Sequence, residues 1–211
     1  MAIGYRSGKF TLVFRAGWPI VTTMDKPWYH KIFSFAEETG PRDGGAKADQ
    51  GDAEAQFGLG LKYGNSVGDS QDFAQAVHWY QKAAQQNHPL AQFNLGVMYG
   101  SGQGVPRDDA ASVGWIQRAA DQGDAGAQFY LGSRFHRASL GDGRTDLAES
   151  RIEAYKWLHL AAAQGYKGSE AAFEQVTLTM SRPEVDEGNE RAARFAGGKT
   201  IAALGGVEGA N

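Results

Sequence analysis

The stretch AQFNLG, Ala91 to Gly96, has two near-copies in the same chain: AQFGLG at 55–60 and AQFYLG at 127–132. Gln56, Gln92 and Gln128 are spaced 36 residues apart, and so are Leu59, Leu95 and Leu131 and Gly60, Gly96 and Gly132. The aromatic series Tyr63, Tyr99 and Phe135 keeps the same step. A fixed period of this length marks a repeat architecture, in which one supersecondary unit recurs.

Working outward, Trp79 and Trp115 are 36 residues apart and are followed by Ala83-Ala84 and Ala119-Ala120. The third copy places Trp157 and Ala161-Ala162 at a step of 42, its extra length falling in the polar, glycine-bearing run Ala138–Thr145. Each unit reads as two helices. The first begins after an N-cap aspartate (Asp52, Asp124) or with Pro89 as its first helical residue, and it ends near Tyr63-Gly64 or Tyr99-Gly100. The second spans roughly 73–86, 109–122 and 146–164, closed by Asn87, Gly123 and Gly165.

Spacing explains the residue types. Leu59 and Tyr63 are i, i+4 on one face, and Gly60 flanks it, where a missing side chain admits the paired helix. Trp79 and Ala83 set a large ring beside a small residue in the second helix. No single unit buries such faces alone, whereas stacked neighbours do. Stepping about 100° per residue from Leu59 puts Phe57 about 160° round. The row Phe57, Phe93 and Phe129 therefore either packs on the next unit's first helix or lines a groove.

The pattern A-Q-F-x-L-G-x-x-Y, then G-x-G-V, then A-x-x-W-x-x-A-A-x-Q-G, fullest in copy two, resembles the Sel1-like repeat, a relative of the tetratricopeptide repeat. Copy one has Asn65–Asp69 in place of the G-x-G-V turn, and copy three lacks that turn. The resemblance implies an all-α fold: a right-handed α-solenoid of antiparallel helix pairs, used for protein–protein contact. The expected organisation begins with a poorly ordered extension at 1–23, with Met24 as an alternative start, and an N-terminal capping helix and linker at 24–45. Repeats follow at 46–88, 89–124 and 125–166, with a partial one at 167–180. A capping helix at 181–196 and a flexible tail at 197–211 complete the chain. Trp28–Lys31 echoes Trp79–Lys82, and Ser181–Glu184 has capping-box form.

Composition narrows the function. A net charge of −3 offers no electrostatic footprint for nucleic acid or anionic membrane, and no apolar run is long enough to span a bilayer. The absence of cysteine removes disulfide, thiolate and Cys-zinc chemistry and fits a cytoplasmic setting. His30, His78, His88, His136 and His159 neither form metal-binding pairs nor recur in register, and no serine stands in an S-x-x-K arrangement. No metal, cofactor or catalytic residue is expected.

The expected role is a non-enzymatic, bacterial-type adaptor that binds a protein or peptide on its first-helix face. A dedicated inhibitor or immunity-type protein is the alternative, and a hydrolase with a site in the groove comes third. Positions that vary between copies are the specificity candidates: Asn94 and Tyr130 in one row, Lys62, Met98 and Arg134 in another. Phe57, Phe93 and Phe129 join them if their row lines the groove.

Overall fold

A computed structural model describes residues 3–6, 9–12, 43–65, 72–141 and 146–205, with side chains over 45–65, 72–141 and 146–198. The chain divides into two units, Met1–Pro41 and Arg42–Asn211. In the first, strands β1 (Ile3–Arg6) and β2 (Lys9–Leu12) pair antiparallel, Ile3 opposite Leu12 and Arg6 opposite Lys9. Both strands lie within 1–23, the segment expected as an N-terminal extension. The Trp28–Lys31 echo lies outside the described residues.

Every described secondary-structure element of the second unit is a helix. α1 (Asp43–Asp49) leads into three helix pairs: α2 (Ala53–Asn65) with α3 (Phe73–Gln85), α4 (Pro89–Ser101) with α5 (Asp109–Gln122), and α6 (Ala125–Ser139) with α7 (Leu147–Ala163). Each pair stacks on the next through α3 on α4, α5 on α6 and α7 on α8 (Ser169–Thr177). The last helix, α9 (Arg182–Gly205), docks on α7.

Short side chains set the helix starts. The carboxylates of Asp52, Asp72, Asp108, Asp124 and Asp146 accept first-turn backbone N–H groups, at 2.7 Å from Ala55 and from Ala127. Such caps are worth about 1 kcal/mol each. Pro89 is the first residue of α4 as expected, and His88 caps that helix. The ends differ slightly from expectation. α4 continues past Gly100 to Ser101 and closes at left-handed Gly102. Gly100 is instead a packing position, where a Cβ would lie 2.9 Å from Ser112 Oγ on α5. The G-x-G-V turn is fixed by contact: Gly104, at φ +70°, would bring a Cβ within 2.3 Å of the Phe73 carbonyl oxygen, while Val105 packs on the core.

The glycine of the hexapeptide does what its flanking position implied. A Cβ at Gly60 would meet the Tyr80 ring at 2.4 Å, at Gly96 it would meet Ile116 Cγ1 at 2.5 Å, and at Gly132 Leu158 Cγ at 2.6 Å. The partners are the residues immediately after the tryptophans, not the tryptophans themselves. Ala83, Ala84, Ala119, Ala120 and Ala161 are buried, but Trp79 and Trp115 are only half-buried, with Lys82 and Arg118 over their rings at 4.5 and 4.6 Å. Trp157 is fully buried because Phe195 of α9 meets its ring at 5.3 Å.

Both ends of the stack retain the frame of the repeat. Ala48 lies 36 residues before Ala84, and Gln50-Gly51-Asp52 stand in register with Gln122-Gly123-Asp124. α1 is thus the last part of a second-type helix, and it begins at Asp43, inside the segment 24–45 expected as capping helix and linker. At the other end Ser169 occupies the place of Ala127 and is buried, but exposed Glu174 occupies the place of Gly132. A carboxylate there forbids the close pairing of helices seen in the other units. α9 packs on α7 instead, Gly188 receiving the Tyr155 ring at a Cβ distance of 2.6 Å. The helix reaches Gly205, beyond the end expected at 196, and it runs through Gly197 and Gly198, which are exposed and have nothing within 4 Å of a Cβ.

Half of the expected capping box forms at the start of α9: the Glu184 arm reaches back to the Ser181 N–H, while the Ser181 hydroxyl donates to the same carboxylate at 2.8 Å. Glu184 accepts the Ser181 backbone N–H at 2.7 Å and also takes Arg151 of α7. Burial pushes the Glu184 carboxyl up, but the Ser181 bonds and the Arg151 guanidinium outweigh it and hold it below the usual carboxylate range. A carboxyl held below its unfolded value stabilises fully above the ordinary range and loses that contribution as pH falls through its folded value. Glu184→Gln is therefore expected to flatten the loss of thermal stability between about pH 6 and about pH 2, measured by circular dichroism melts.

The candidate interaction face of the first helices

The two readings of the phenylalanine row resolve in geometry. Phe57 is 4% exposed, stacks at 4.6 Å on His88, the N-cap of the next unit's first helix, and tilts against Tyr80 at 5.9 Å. Phe129 meets Tyr166 at 5.3 Å; Tyr166 stands 42 residues after Asp124 and 78 after His88, in the same place in the repeat. Phe93 reaches Gly126, where a Cβ would lie 3.4 Å from its ring. The rings reach towards the start of the following helix pair, so of the two readings of Phe57, Phe93 and Phe129 the geometry fits inter-repeat packing.

Met98 also leaves the set of accessible residues. It is 6% exposed and belongs to the core cluster around Leu95, Ala83 and Ala84. Asn94 is half-buried and lies near the Tyr80 hydroxyl, where its side chain favours the ionised phenol against the larger effect of burial. Burial drives that phenol far above its usual range. The changing letter of the hexapeptide is here answering a chemical need of the preceding unit: Tyr80 carries a hydroxyl, whereas Ile116 and Leu158 do not.

Lys62 and Arg134 are exposed, and Tyr130 is half-buried with its hydroxyl approaching Gly100. Around Tyr130 and Arg134 the surface is charged. Arg107 grips Asp109 through two bonds, Nε to Oδ1 at 3.0 Å and Nη2 to Oδ2 at 3.1 Å. The Arg107 hydrogen bond holds the Asp109 carboxyl below its usual range against a small opposing effect of burial, and the charges of Arg107 and Arg134 add to it. Arg107 also feels the Tyr130 phenol. Of the residues singled out in the sequence, Tyr130 and Arg134 stand i, i+4 on α6, within electrostatic reach of Arg107 and Asp109 respectively. Arg107 and Asp109 complete the group and were not singled out.

Sequence reasoning also missed what the glutamine does. Gln56, Gln92 and Gln128 are buried, and their Nε2 groups donate to the carbonyls of Ala48, Ala84 and Ala120 in the preceding unit at 3.0, 3.1 and 3.3 Å. Their Oε1 atoms accept from Gln86, Gln122 and Gln164 of their own unit at 2.8, 2.7 and 2.9 Å. Both sets of glutamines recur visibly in the sequence; their pairing does not show until the helices are folded.

Among the described residues no cluster of three or more His, Asp or Glu suits a metal ion, and no helix is long and apolar enough to cross a membrane. His30 lies outside the described residues. His159 stacks on Phe173 at 5.2 Å, a packing role.

Antiparallel helix pairs, each stitched to the previous one through the same side chains, define an α-solenoid repeat protein. The Sel1 repeat family model matches residues 53–88, 89–124 and 125–166. The chain belongs to the Sel1 repeat family, whose members generally mediate protein–protein interaction. Among solved structures it is similar to a protective antigen of uropathogenic Escherichia coli with an SLR fold, at a TM-score of 0.64 and 25% identity over 79% of this chain. The chain spans only 36% of that protein's length. A Sel1 repeat protein from Oxalobacter formigenes is similar at a TM-score of 0.52 and 34% identity, over 63% of this chain and 96% of that one. No curated protein matches the sequence.

Proposed function

We propose that the chain is a non-enzymatic adaptor that holds a protein or extended peptide at the joint between its second and third repeats. The observation that carries this reading is the surface group of Arg107, Arg134 and Tyr130 around Asp109. Two guanidiniums against one carboxylate leave positive charge to receive a partner's carboxylate, and the phenol adds a flat, amphipathic contact. The surrounding solenoid is preformed, so the ordering cost of binding falls on the partner. This reading keeps the cytoplasmic setting expected from the sequence.

The double variant Tyr130→Ala and Arg134→Ala tests it. Helical circular dichroism is expected to stay close to that of the wild type, since Arg134 is exposed and Tyr130 is only partly buried at the edge of its core cluster. Partner recovered by affinity capture from the native cell is expected to fall about tenfold or more. Equal recovery of the same partner by the wild type and the variant overturns the assignment of this face.

A further inference from the structure

We propose that His88 makes the joint between the first and second repeats proton-sensitive. The N-cap position of the three first helices holds Asp52, His88 and Asp124. A carboxyl keeps an acceptor oxygen whether ionised or not. That holds for Asp124 too, which burial pushes up against the opposing N–H groups of Ala127 and Gly126. An imidazole nitrogen accepts only while its lone pair is free.

His88 Nδ1 accepts the Ala91 backbone N–H at 3.2 Å, and its Nε2 meets Glu54 Oε2 at 3.0 Å. Those two bonds assign the neutral ring as the Nε2–H tautomer, donating to Glu54. The ring has little freedom to turn away. It stacks on Phe57, which is itself pinned against Tyr80, and its side chain is 11% exposed.

Adding a proton at Nδ1 sets N–H against the Ala91 N–H, at the positive end of the α4 dipole. The compensating charge contact is to Glu54, which is 55% exposed and therefore well screened. Among the described contacts, Glu54 of α2 is the ionised group that meets the ring. α3 contributes the Tyr80 phenol, kept neutral by burial, beyond Phe57, and α4 contributes only its own first-turn amides. Protonation thus moves His88 from capping α4 to pairing with α2. The turn that is uncapped, Pro89 to Gln92, includes the glutamine that holds Ala84. Acid loosens this joint while the two aspartate-capped joints hold.

Hydrogen exchange by NMR on the full chain at about pH 8 and about pH 5, the span in which histidine changes charge, tests the proposal. Results are compared as protection factors, so that the intrinsic pH dependence of exchange cancels. The Ala91 amide is expected to lose about fivefold more protection than those of Ala55 and Ala127. Imidazole nitrogen shifts at the higher pH are expected to report the Nε2–H tautomer. In His88→Asp, which restores the cap of the other repeats, the excess loss disappears. An Nδ1–H tautomer at the higher pH, equal losses at all three amides, or an excess loss that survives in His88→Asp each overturns the proposal.

Discussion

Gly96→Leu is expected to destabilise the chain by about 1–3 kcal/mol, and more if α4 and α5 separate. Even the first carbon of a side chain at this position lies 2.5 Å from Ile116 Cγ1 and 3.0 Å from the Ser112 backbone carbonyl oxygen. Ile116 is fully buried and has no free direction in which to swing, and a backbone oxygen yields only if the helix moves. At about 2–4 °C per kcal/mol for a chain of this size, the loss is measurable by thermal melts. An unchanged melting temperature would sink the packing assignment. Gly114→Leu is the control: a Cβ there meets nothing within 4 Å, so the same substitution on an open face of α5 is expected to be tolerated.

Gln92→Met is the second large effect. Methionine keeps the length of the side chain and removes both polar groups. Gln92 is almost completely buried, donates to the Ala84 carbonyl at 3.1 Å and accepts from Gln122 at 2.7 Å. The Ala84 carbonyl retains only a backbone partner, the Asn87 N–H at 3.0 Å, and the Gln122 amide loses its acceptor in a partly buried site. Unpaired groups of this kind cost about 1–3 kcal/mol. Urea unfolding should show a lower midpoint. Because the lost bonds span two units, an additional loss of cooperativity is expected, visible as a smaller m value.

Periodicity made the architecture legible. The 36-residue step of Leu95 and Gly96 and the aspartate and proline start signals locate all three helix pairs, because those residues act within one helix or between its two nearest surfaces. The candidate site was only half legible, for a physical reason. A helical wheel assigns a direction to Phe57 but not what stands there, and His88 is supplied by the cap of a helix that begins 32 residues later. Asn94 varies between copies, as a specificity residue would, yet it varies to match Tyr80. Variation driven by an internal neighbour and variation driven by an external partner look the same in a single sequence. Arg107 and Asp109 were not read as part of the site because Asp109 comes within electrostatic reach of Arg134 only when α5 stacks against α6.

The glutamine bonds within each unit bridge 30 residues in the first repeat, 30 in the second and 36 in the third, yet their lengths are 2.8, 2.7 and 2.9 Å. Contour length and spatial frame are therefore uncoupled in this chain. Six additional residues enter between one pair of glutamines without altering the spacing at which the next unit is received. A solenoid gauged in this way tolerates growth at its turns while the position of every later surface is conserved. Arg134 and Tyr130, on the near side of the long turn, can be kept in place while the turn itself is rewritten.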